Sequence, residues 1–251
     1  MVEGVANLSE WYFEKFATDE SSTEGLFEDY DQPNTRVTHM TVDHELPMTF
    51  WRSVGHSYTA FAKESMIDEL AEAAGMDEVA FRLQNSQNSP RLNNVIRVAG
   101  ERMAAMTVPA GHHLGFAAHH SFRTDVAEIA EVSVENGKIR VHKVTCVLDC
   151  GQAVNPDIVR SQMEGGVIYG LTAALFGGLN LENGAIKESN FHDYPMLRMD
   201  ESPEIEVVII DSGTKPTGVG EPGLPPIAPA VANAVYKATG QRLRSLPLQL
   251  A

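Results

Sequence analysis

The sequence predicts an α+β fold, and three patterns support this prediction. Residues 127–134 and 139–148 alternate between apolar and polar side chains on either side of a Glu-Asn-Gly turn, which predicts a β-hairpin. Residues 58–74 place apolar side chains at helical spacing and are followed by Gly75, a typical C-terminal cap. Pro156 is well placed as the first residue of a further helix. We therefore expect a hairpin-containing sheet with separate helices.

The N-terminal region is acidic and aromatic. A short helix is predicted at residues 11–16, followed by an extended arm. Two interpretations are open: the aromatic side chains dock onto another chain, or they pack onto the core of this one. We predict a division into an arm at residues 1–32 and a domain at residues 33–251.

The segment between the arm and the hairpin is predicted to be mainly helical. Residues 36–50 alternate well enough for a strand. Residues 51–57 form a glycine-bearing turn that opens the helix at residues 58–74. The elements that follow are a short helix capped by Asp77 and ending at Leu83, a helix at residues 94–106, and a loop at residues 108–113.

The helix that begins at Pro156 is predicted to end near residue 174, and it contains three glycines, Gly165, Gly166 and Gly170. Each costs roughly 1 kcal/mol of helix stability relative to alanine. This cost indicates that another backbone or a ligand approaches the helix closely. The elements that follow are a hairpin formed by residues 175–181 and 185–188, a strand at residues 204–211, and a helix at residues 227–239.

Composition and charge exclude several classes of function. A net charge of −15 argues against a nucleic-acid or anionic-membrane partner. No apolar run approaches the roughly 18 residues of a membrane span, and we expect a cytoplasmic protein, or a periplasmic one if a partner exports it. The two cysteines, Cys146 and Cys150, are too few for an iron–sulfur cluster and are expected to be buried free thiols. No histidine spacing predicts a metal site.

The most informative stretch for function is the loop at residues 218–226, in which Glu221 lies among glycines and prolines. Glycine permits close backbone approach, and proline stiffens the loop. A carboxylate held there, partly shielded from water, is a candidate general base. The alternative is a tight turn with a solvated glutamate. Asp149 is a weaker candidate acid, since a residue at a strand end more often binds loop backbone.

Several blocks of the chain resemble the molybdopterin-binding large subunit of the xanthine oxidase and aldehyde oxidase family, in its isoquinoline 1-oxidoreductase β-subunit branch. Their order and spacing agree from about residue 33 to the end. The blocks are Phe-Trp-Arg-Ser-Val-Gly-His-Ser (50–57), Glu-Ser-Met-Ile-Asp-Glu-Leu (64–70), Val-Leu-Asp-Cys-Gly-Gln-Ala-Val-Asn-Pro (147–156), Gln-Met-Glu-Gly-Gly (162–166), Asn-Phe-His-Asp-Tyr-Pro-Met-Leu-Arg-Met (190–199) and Gly-Val-Gly-Glu-Pro-Gly (218–223). The resemblance implies a partial mixed-sheet molybdopterin-binding domain.

The resemblance also implies roles for individual residues. Glu221 matches the family's catalytic base, and Gln162 matches a glutamine that hydrogen-bonds near the metal and the pterin. The glycines of the Gln162 helix would let the cofactor come close. Val54 takes a place where purine-oxidising members stack an aromatic ring, which favours an aldehyde or another N-heterocycle as substrate. The remaining implied cofactor-binding residues are Arg52, Ser53 and Gly220, and Arg123 is implied to alter access or charge.

Two pterin-binding segments of the family, G-G-F-G and G-Q-G, have no match in this chain. We therefore expect molybdenum–molybdopterin to be shared with a second molybdopterin-binding subunit, and iron–sulfur clusters to lie on an electron-transfer subunit. Because the chain begins with Met1 and an aromatic arm, we expect a naturally split subunit rather than a fragment. The protein would then oxidise a small molecule with oxygen from water. The alternative is a non-catalytic remnant or interaction subunit that keeps the fold without the cofactor.

Overall fold

The computed structural model of the chain describes residues 20–26, 29–32, 34–40 and 49–250. A short 3-10 helix at Glu20–Thr23 precedes the regular elements. The helices are α1 (His56–Ala73), α2 (Glu78–Gln84), α3 (Pro90–Ala105), α4 (Pro156–Leu175) and α5 (Ile227–Thr239); the strands are β1 (His112–Ser121), β2 (Thr124–Glu135), β3 (Lys138–Asp149), β4 (Leu181–Glu182), β5 (Ala185–Ile186) and β6 (Glu204–Ile210).

Four of the strands form one mixed sheet, in the order β1-β2-β3-β6. The first three pair antiparallel, whereas β6 runs parallel to β3. A parallel neighbour needs a crossover connection, and α4 lies within it. The sheet and the separate helices confirm the predicted α+β class.

The core lies on both faces of this sheet. On one face, α3 buries Leu92, Val95 and Ile96 in a cluster that includes Phe116 and Ile129 of the sheet. On the other face, α4 and α5 share a second cluster with the sheet; its members include Leu171, Val231, Val235, Ala130 and Val144. A Cβ on Gly115 would come within 2.1 Å of the Ala230 carbonyl oxygen, so glycine is required for α5 to pack this closely on β1. None of the helices in the described ranges is long and apolar enough to cross a membrane.

Side chains cover the outer edge of β1. The Ala118 N–H donates to Glu64 Oε2 at 2.9 Å, and the His120 N–H donates to Asp29 Oδ1 at 3.1 Å. The Phe116 carbonyl accepts from Asn233 Nδ2 at 3.0 Å. Glu64 is fully buried and also accepts from Arg82 Nε at 2.9 Å, so its charge is paired.

The predicted ends of several elements agree with the structure. Gly75 has a φ of +65°, and the N–H groups of Gly75 and Met76 donate to Glu72 and Ala71, which is a Schellman cap. Asp77 caps α2 through the N–H groups of Val79 and Ala80. Pro156 begins α4, and α5 spans the predicted residues 227–239. β2, β3 and β6 also lie where strands were predicted.

Other predictions of secondary structure are wrong. β1 was missed, because nearly all of its residues from Gly115 onwards are buried on both faces and give no alternation. The predicted strand at residues 36–50 is absent at residues 36–40 and 49–50, and its other residues lie outside the described ranges. Both of its faces carry polar side chains, so neither offers a continuous apolar surface. The hairpin at residues 175–188 is reduced to the two-residue strands β4 and β5, and α3 begins at Pro90 rather than at residue 94.

The described part of the predicted arm packs onto the core of this chain. Tyr30 is buried and donates to Glu64 Oε1 at 2.7 Å. Buried Asp29 forms an ion pair with Lys63 of α1. This is the second of the two interpretations given above; the predicted helix at residues 11–16 lies outside the described residues. Cys146 and Cys150 are buried free thiols, as predicted.

Candidate functional site

Three segments that are far apart in sequence meet at one place. They are the turn that precedes α1, the first half of α4, and the loop that contains Glu221. The structure brings together all the residues predicted for the site from these segments: Arg52, Ser53 and Val54 from the turn, Gln162 from α4, and Gly220 and Glu221 from the loop.

The Glu221 carboxylate is held by the backbone of the turn. Its Oε2 accepts from the Ser53 N–H at 2.8 Å, and the Ser53 hydroxyl donates to the Glu221 carbonyl at 2.9 Å. Ser53 is fully buried, whereas Glu221 is half-buried. Among the residues described, none hydrogen-bonds Oε1 of Glu221. One carboxylate oxygen is therefore fixed and the other is available to accept a proton.

The turn has an unusual backbone conformation. Ser53 and Val54 have φ angles of 72° and 47°, a left-handed region that non-glycine residues rarely adopt, and β-branched ones least of all. Each such residue costs on the order of 1–3 kcal/mol of stability, and it persists only where contacts with the surrounding structure hold it in place. The Val54 N–H donates to the Trp51 carbonyl at 2.9 Å, and α1 begins two residues later. This conformation directs the Ser53 N–H towards Glu221.

Arg52 connects the other two segments. Its Nε donates to the Gly220 carbonyl at 2.9 Å, and its Nη2 is 3.3 Å from Gln162 Oε1 and 3.4 Å from the Gln162 carbonyl oxygen. The planar guanidinium has five donors in a rigid fork, so one side chain can serve the helix and the loop together. No pattern in the sequence predicted this connection between α4 and the loop.

Two of the three glycines in α4 are explained by the chain's own packing. A Cβ on Gly166 would lie 3.0 Å from the backbone of Gly223, and one on Gly170 would lie 2.4 Å from Ile227 Cγ2. The expectation that these glycines admit the cofactor is therefore wrong for Gly166 and Gly170. Gly165 is exposed, and its Cβ would meet only Arg52 Nη1, at 3.9 Å.

The loop is also supported from the side of the sheet. The Gly218 N–H donates to the Phe122 carbonyl at 3.3 Å, and the Thr124 hydroxyl donates to the Gly218 carbonyl at 2.7 Å. The turn between β1 and β2 therefore positions the start of the Glu221 loop. Arg123 lies in this turn with an exposed side chain, and its predicted effect on access stays a prediction.

Asp149 has a structural role. Its Oδ1 accepts from the Gly151 N–H at 2.8 Å and from Arg91 Nη2 at 3.0 Å. Burial raises the pKa of Asp149, but the hydrogen bonds from Arg91 and Gly151 outweigh that effect and hold it below its ordinary value. A carboxylate that stays ionised is a poor general acid, so binding of loop backbone, the alternative given above, is its role.

A second polar region lies on the other side of Phe122. His56 Nδ1 is 2.9 Å from His119 Nε2, and both side chains are buried. Burial and the nearby His120 lower the pKa of His56 to about 4. His56 also lines a cavity of about 570 Å³ together with Phe122, Arg123 and His120. Arg52, Gln162 and Glu221 do not line this cavity.

Family models identify the class of protein to which this chain belongs. A family model described as a molybdopterin cofactor-binding domain matches residues 52–203, and a second model of the same description matches residues 11–86. The chain belongs to this family, as the sequence blocks implied. The second match crosses residue 32, and the division of the chain at that point stays a prediction.

Individual relatives share this assignment. The chain is 36% identical over 254 residues to isoquinoline 1-oxidoreductase subunit beta of Brevundimonas diminuta, a match that covers 98% of this chain and 32% of the relative. The fold resembles the crystal structure of quinoline 2-oxidoreductase from Pseudomonas putida 86, with a TM-score of 0.68 at 12% identity, covering 77% of this chain and 50% of that one. It also resembles the aldehyde oxidoreductase of Desulfovibrio desulfuricans, with a TM-score of 0.66 at 17% identity, covering 78% and 40%.

These matches confirm the predicted fold type, a mixed-sheet domain of the aldehyde oxidoreductase kind. The chain spans about a third of the length of the curated relative from Brevundimonas diminuta.

Proposed function

We propose that the chain forms part of a molybdenum hydroxylase that oxidises an aldehyde or an N-heteroaromatic compound with oxygen from water. In this proposal Glu221 is the catalytic base. The observation that supports it most directly is the geometry of Glu221, whose Oε2 is fixed by the Ser53 N–H while no described residue hydrogen-bonds its Oε1. The substrate classes follow from the relatives, whose names refer to isoquinoline, quinoline and aldehydes.

The residues around Glu221 fit a polar cofactor. Gly165 and Gly220 are both exposed, and a Cβ on Gly220 would meet only Gln162 Oε1, at 4.0 Å. The amide of Gln162 and the guanidinium of Arg52 lie between these two glycines. Amide and guanidinium groups suit the oxygen- and nitrogen-rich edge of a pterin and its phosphate. We propose that Gln162, Arg52, Ser53 and Gly220 hold molybdopterin, with no protein ligand to the metal.

When bound, molybdenum–molybdopterin supplies a two-electron acceptor for hydroxylation of the substrate carbon. The contribution of this chain is to position a base and shape the space beside it. Glu221 Oε1 would accept the proton that is lost by the water supplying the oxygen, while the Ser53 N–H keeps Oε2 in place. A positioned general base typically contributes about 10²–10⁴-fold in rate. Val54, which is half-buried next to Ser53, presents a small aliphatic surface and leaves room for a planar substrate.

We further propose that this chain works within an assembly. Gly165 and Gly220 are exposed, and Arg52 and Gln162 are half-buried, so the groups proposed to hold the cofactor lie at the surface of the described part of the chain. A second molybdopterin-binding polypeptide would enclose the cofactor against them. An iron–sulfur subunit would carry the electrons away, because the two cysteines of this chain are buried and cannot hold a cluster.

The proposal predicts that Glu221→Gln loses at least about a hundredfold in turnover while cofactor content and fold stay unchanged, because glutamine keeps the shape and the bond to Ser53 but cannot take a proton. The measurement is the reductive half-reaction rate of the assembled complex, normalised to bound molybdenum. The matched control is Glu135→Gln, the same chemical change at the exposed last residue of β2.

Rates of the Glu221→Gln complex within a few-fold of the control would show that Glu221 is not the base. A complex that contains no molybdenum in its unmutated form would instead favour the alternative of a non-catalytic remnant. The contacts of Arg52 with Gln162 and of Ser53 with Glu221 support the enzyme, since a remnant has no physical need for this arrangement.

A further inference from the structure

The cavity beside His56 has the size and the mixed lining of a small-molecule site. Its volume of about 570 Å³ lies within the range of roughly 300–1,000 Å³ that is usual for ligand pockets. Phe122 and Leu92 give it apolar surface, and charged side chains surround them. Neither Glu221 nor any of the residues proposed to hold molybdopterin lines it. The cavity is therefore separate from the candidate site described above.

The buried histidine pair presents one hydrogen-bond acceptor to this cavity. His119 Nδ1 lies 3.1 Å from Asp29 Oδ2, so it carries the ring proton, because an unprotonated nitrogen would be repelled by the carboxylate. Burial lowers the pKa of both histidines, which keeps each ring neutral with a single N–H. His119 Nε2 is then the acceptor and His56 Nδ1 the donor of their 2.9 Å contact. His56 Nε2 is left with a lone pair, and His56 is one of the residues that line the cavity.

A second acceptor lies beside His56 Nε2. Glu24 also lines the cavity, and its Oε2 is 4.0 Å from that nitrogen, which is too far for a hydrogen bond. Only 6% of His56 is exposed, so its ring nitrogen has little access to bulk water. A hydroxyl or N–H group of a ligand could donate to either acceptor. This part of the cavity therefore favours a hydrogen-bond donor.

The start of α3 and the turn between β1 and β2 give another part of the cavity a positive character. Arg123 is exposed at the cavity and forms no ion pair with any residue that the structure describes. Arg91 Nη1 donates to the Arg123 carbonyl at 3.2 Å, but Asp149 and Asp125 compensate the charge of Arg91. The first residues of α3 line the cavity without a side-chain cap or an acidic residue, so the positive end of the helix dipole adds to the charge of Arg123. This part of the cavity favours an anion.

Phe122 links the two parts. Its ring centroid is 5.5 Å from that of His56, and Arg123 is the next residue along the chain. An aromatic ring of a ligand can pack on Phe122 in an offset or edge-to-face arrangement. The Phe122 carbonyl also accepts from the Gly218 N–H at 3.3 Å, so an occupant would contact the turn that positions the start of the Glu221 loop.

We propose that this cavity binds an aromatic carboxylate that also carries a hydroxyl or ring N–H, at a site separate from those of molybdopterin and the substrate. The hydroxyl or N–H donates to His56 Nε2 or Glu24, the ring packs on Phe122, and the carboxylate pairs with Arg123. This inference goes beyond the proposed function and does not depend on it.

Isothermal titration calorimetry of the 251-residue chain with 4-hydroxybenzoate tests the proposal. We expect saturable binding, and we expect phenol, which lacks the carboxylate, to bind about tenfold more weakly or worse, because a charge-assisted hydrogen bond is lost. Arg123→Gln should weaken binding of 4-hydroxybenzoate by a similar factor. The matched control is Arg36→Gln, the same change at an exposed arginine that does not line the cavity, and it should leave binding unchanged.

Nuclear magnetic resonance of the chain with ¹⁵N-labelled histidine gives an independent measurement. We expect 4-hydroxybenzoate to shift the Nε2 resonance of His56, which the His56→Gln variant assigns, because the nitrogen gains a hydrogen bond. The resonances of His192, whose side chain is 74% exposed and does not line the cavity, should stay in place. An unchanged His56 resonance at saturating ligand would contradict the proposal.

Failure of 4-hydroxybenzoate to bind, or equal binding by Arg123→Gln and Arg36→Gln, would overturn the proposal. Loss of binding in Glu221→Gln would overturn it too, because that result would place the ligand beside the proposed base. None of these measurements involves turnover or molybdenum, so their outcome is separable from that of the enzymatic proposal.

Discussion

The Ser53 N–H that holds Glu221 is available because the backbone of Ser53 and Val54 is left-handed. In an ordinary helical or extended conformation that N–H would point elsewhere, and Oε2 would lose its 2.8 Å contact. The strain of these two residues is on the order of 1–3 kcal/mol each. It is offset by burial of the Ser53 side chain and by the hydrogen bonds of Arg52 to α4 and to the Glu221 loop. Ser53, which positions the proposed base Glu221, is therefore not itself the residue that takes the proton.

His56, three residues further on, makes stability depend on pH. Its folded-state pKa of about 4 lies below the value of 6.5 it has when unfolded, so between these pH values the unfolded chain binds more protons. Stability is fully present above about pH 6.5 and falls as the pH is lowered towards 4. The expected loss from His56 is on the order of 3 kcal/mol.

We predict that His56→Gln flattens this dependence, because glutamine can still meet His119 but does not titrate. The measurement is the urea unfolding free energy of both proteins between about pH 7.5 and about pH 4.5. His119, His120, Glu24 and the other titrating groups that surround position 56 are common to both chains, so the difference reports His56. Parallel pH profiles would show that His56 is not responsible.

The site illustrates what sequence can predict at the scale of residues. Glu221, Gln162, Arg52, Ser53 and Gly220 were selected from short blocks with recognisable residue types, and the structure places them together. Arg52 as the link between α4 and the loop could not be predicted, since its acceptors lie 110 and 168 positions away and two of them are backbone carbonyls.

At the scale of elements, α4 shows that helix glycines can be separated by what they face. Gly166 lies against the Gly223 backbone, whereas adjacent Gly165 lies next to open space. We predict that Gly166→Ala destabilises the protein by about 1–3 kcal/mol, because the new methyl group overpacks a backbone contact. Gly165→Ala should instead stabilise it by about 0.5–1 kcal/mol through helix propensity alone.

Urea denaturation of the two variants measures whether their free energies of unfolding change in opposite directions, as predicted. Both substitutions are the same and adjacent, so propensity cancels in the comparison and the remaining difference reports the contact with Gly223. Stabilisation by both would mean that the Glu221 loop can move away from α4 at little cost.

Alternation of residue types and turn residues, rather than burial alone, explain which strands could be predicted, since β2 is as buried as β1 but alternates and precedes a Glu-Asn-Gly turn. β6 and the outer part of β3 retain partial exposure and read as strands, whereas β1 is enclosed and reads as a short apolar run between histidine pairs. The predicted strand at residues 36–50 shows the opposite error at residues 36–40 and 49–50, which are described and are not a strand, because its alternation involved mostly polar side chains. Alternation of side-chain types indicates a strand only where the side chains on one face are apolar and can pack against the core.

At the scale of the whole molecule, the exposure of the polar groups around Gln162 determines what the chain can do alone. We predict that the isolated chain binds molybdopterin weakly and holds far less than one molybdenum per chain, because these groups would contact the cofactor from one side only. The measurement is metal analysis of the chain purified alone and of the complex purified in the same way. Stoichiometric molybdenum in the isolated chain would show that one side is sufficient.

The covered edge of β1 has a consequence for how copies of this protein behave at high concentration. An exposed edge strand offers unpaired N–H and carbonyl groups on which a second strand can grow, and this is a common route to aggregation. Here the side chains of Glu64, Asp29 and Asn233 hydrogen-bond these backbone groups of β1. A side chain cannot act as a further strand, so the sheet ends at this edge. Copies of the protein are therefore kept from polymerising through this edge.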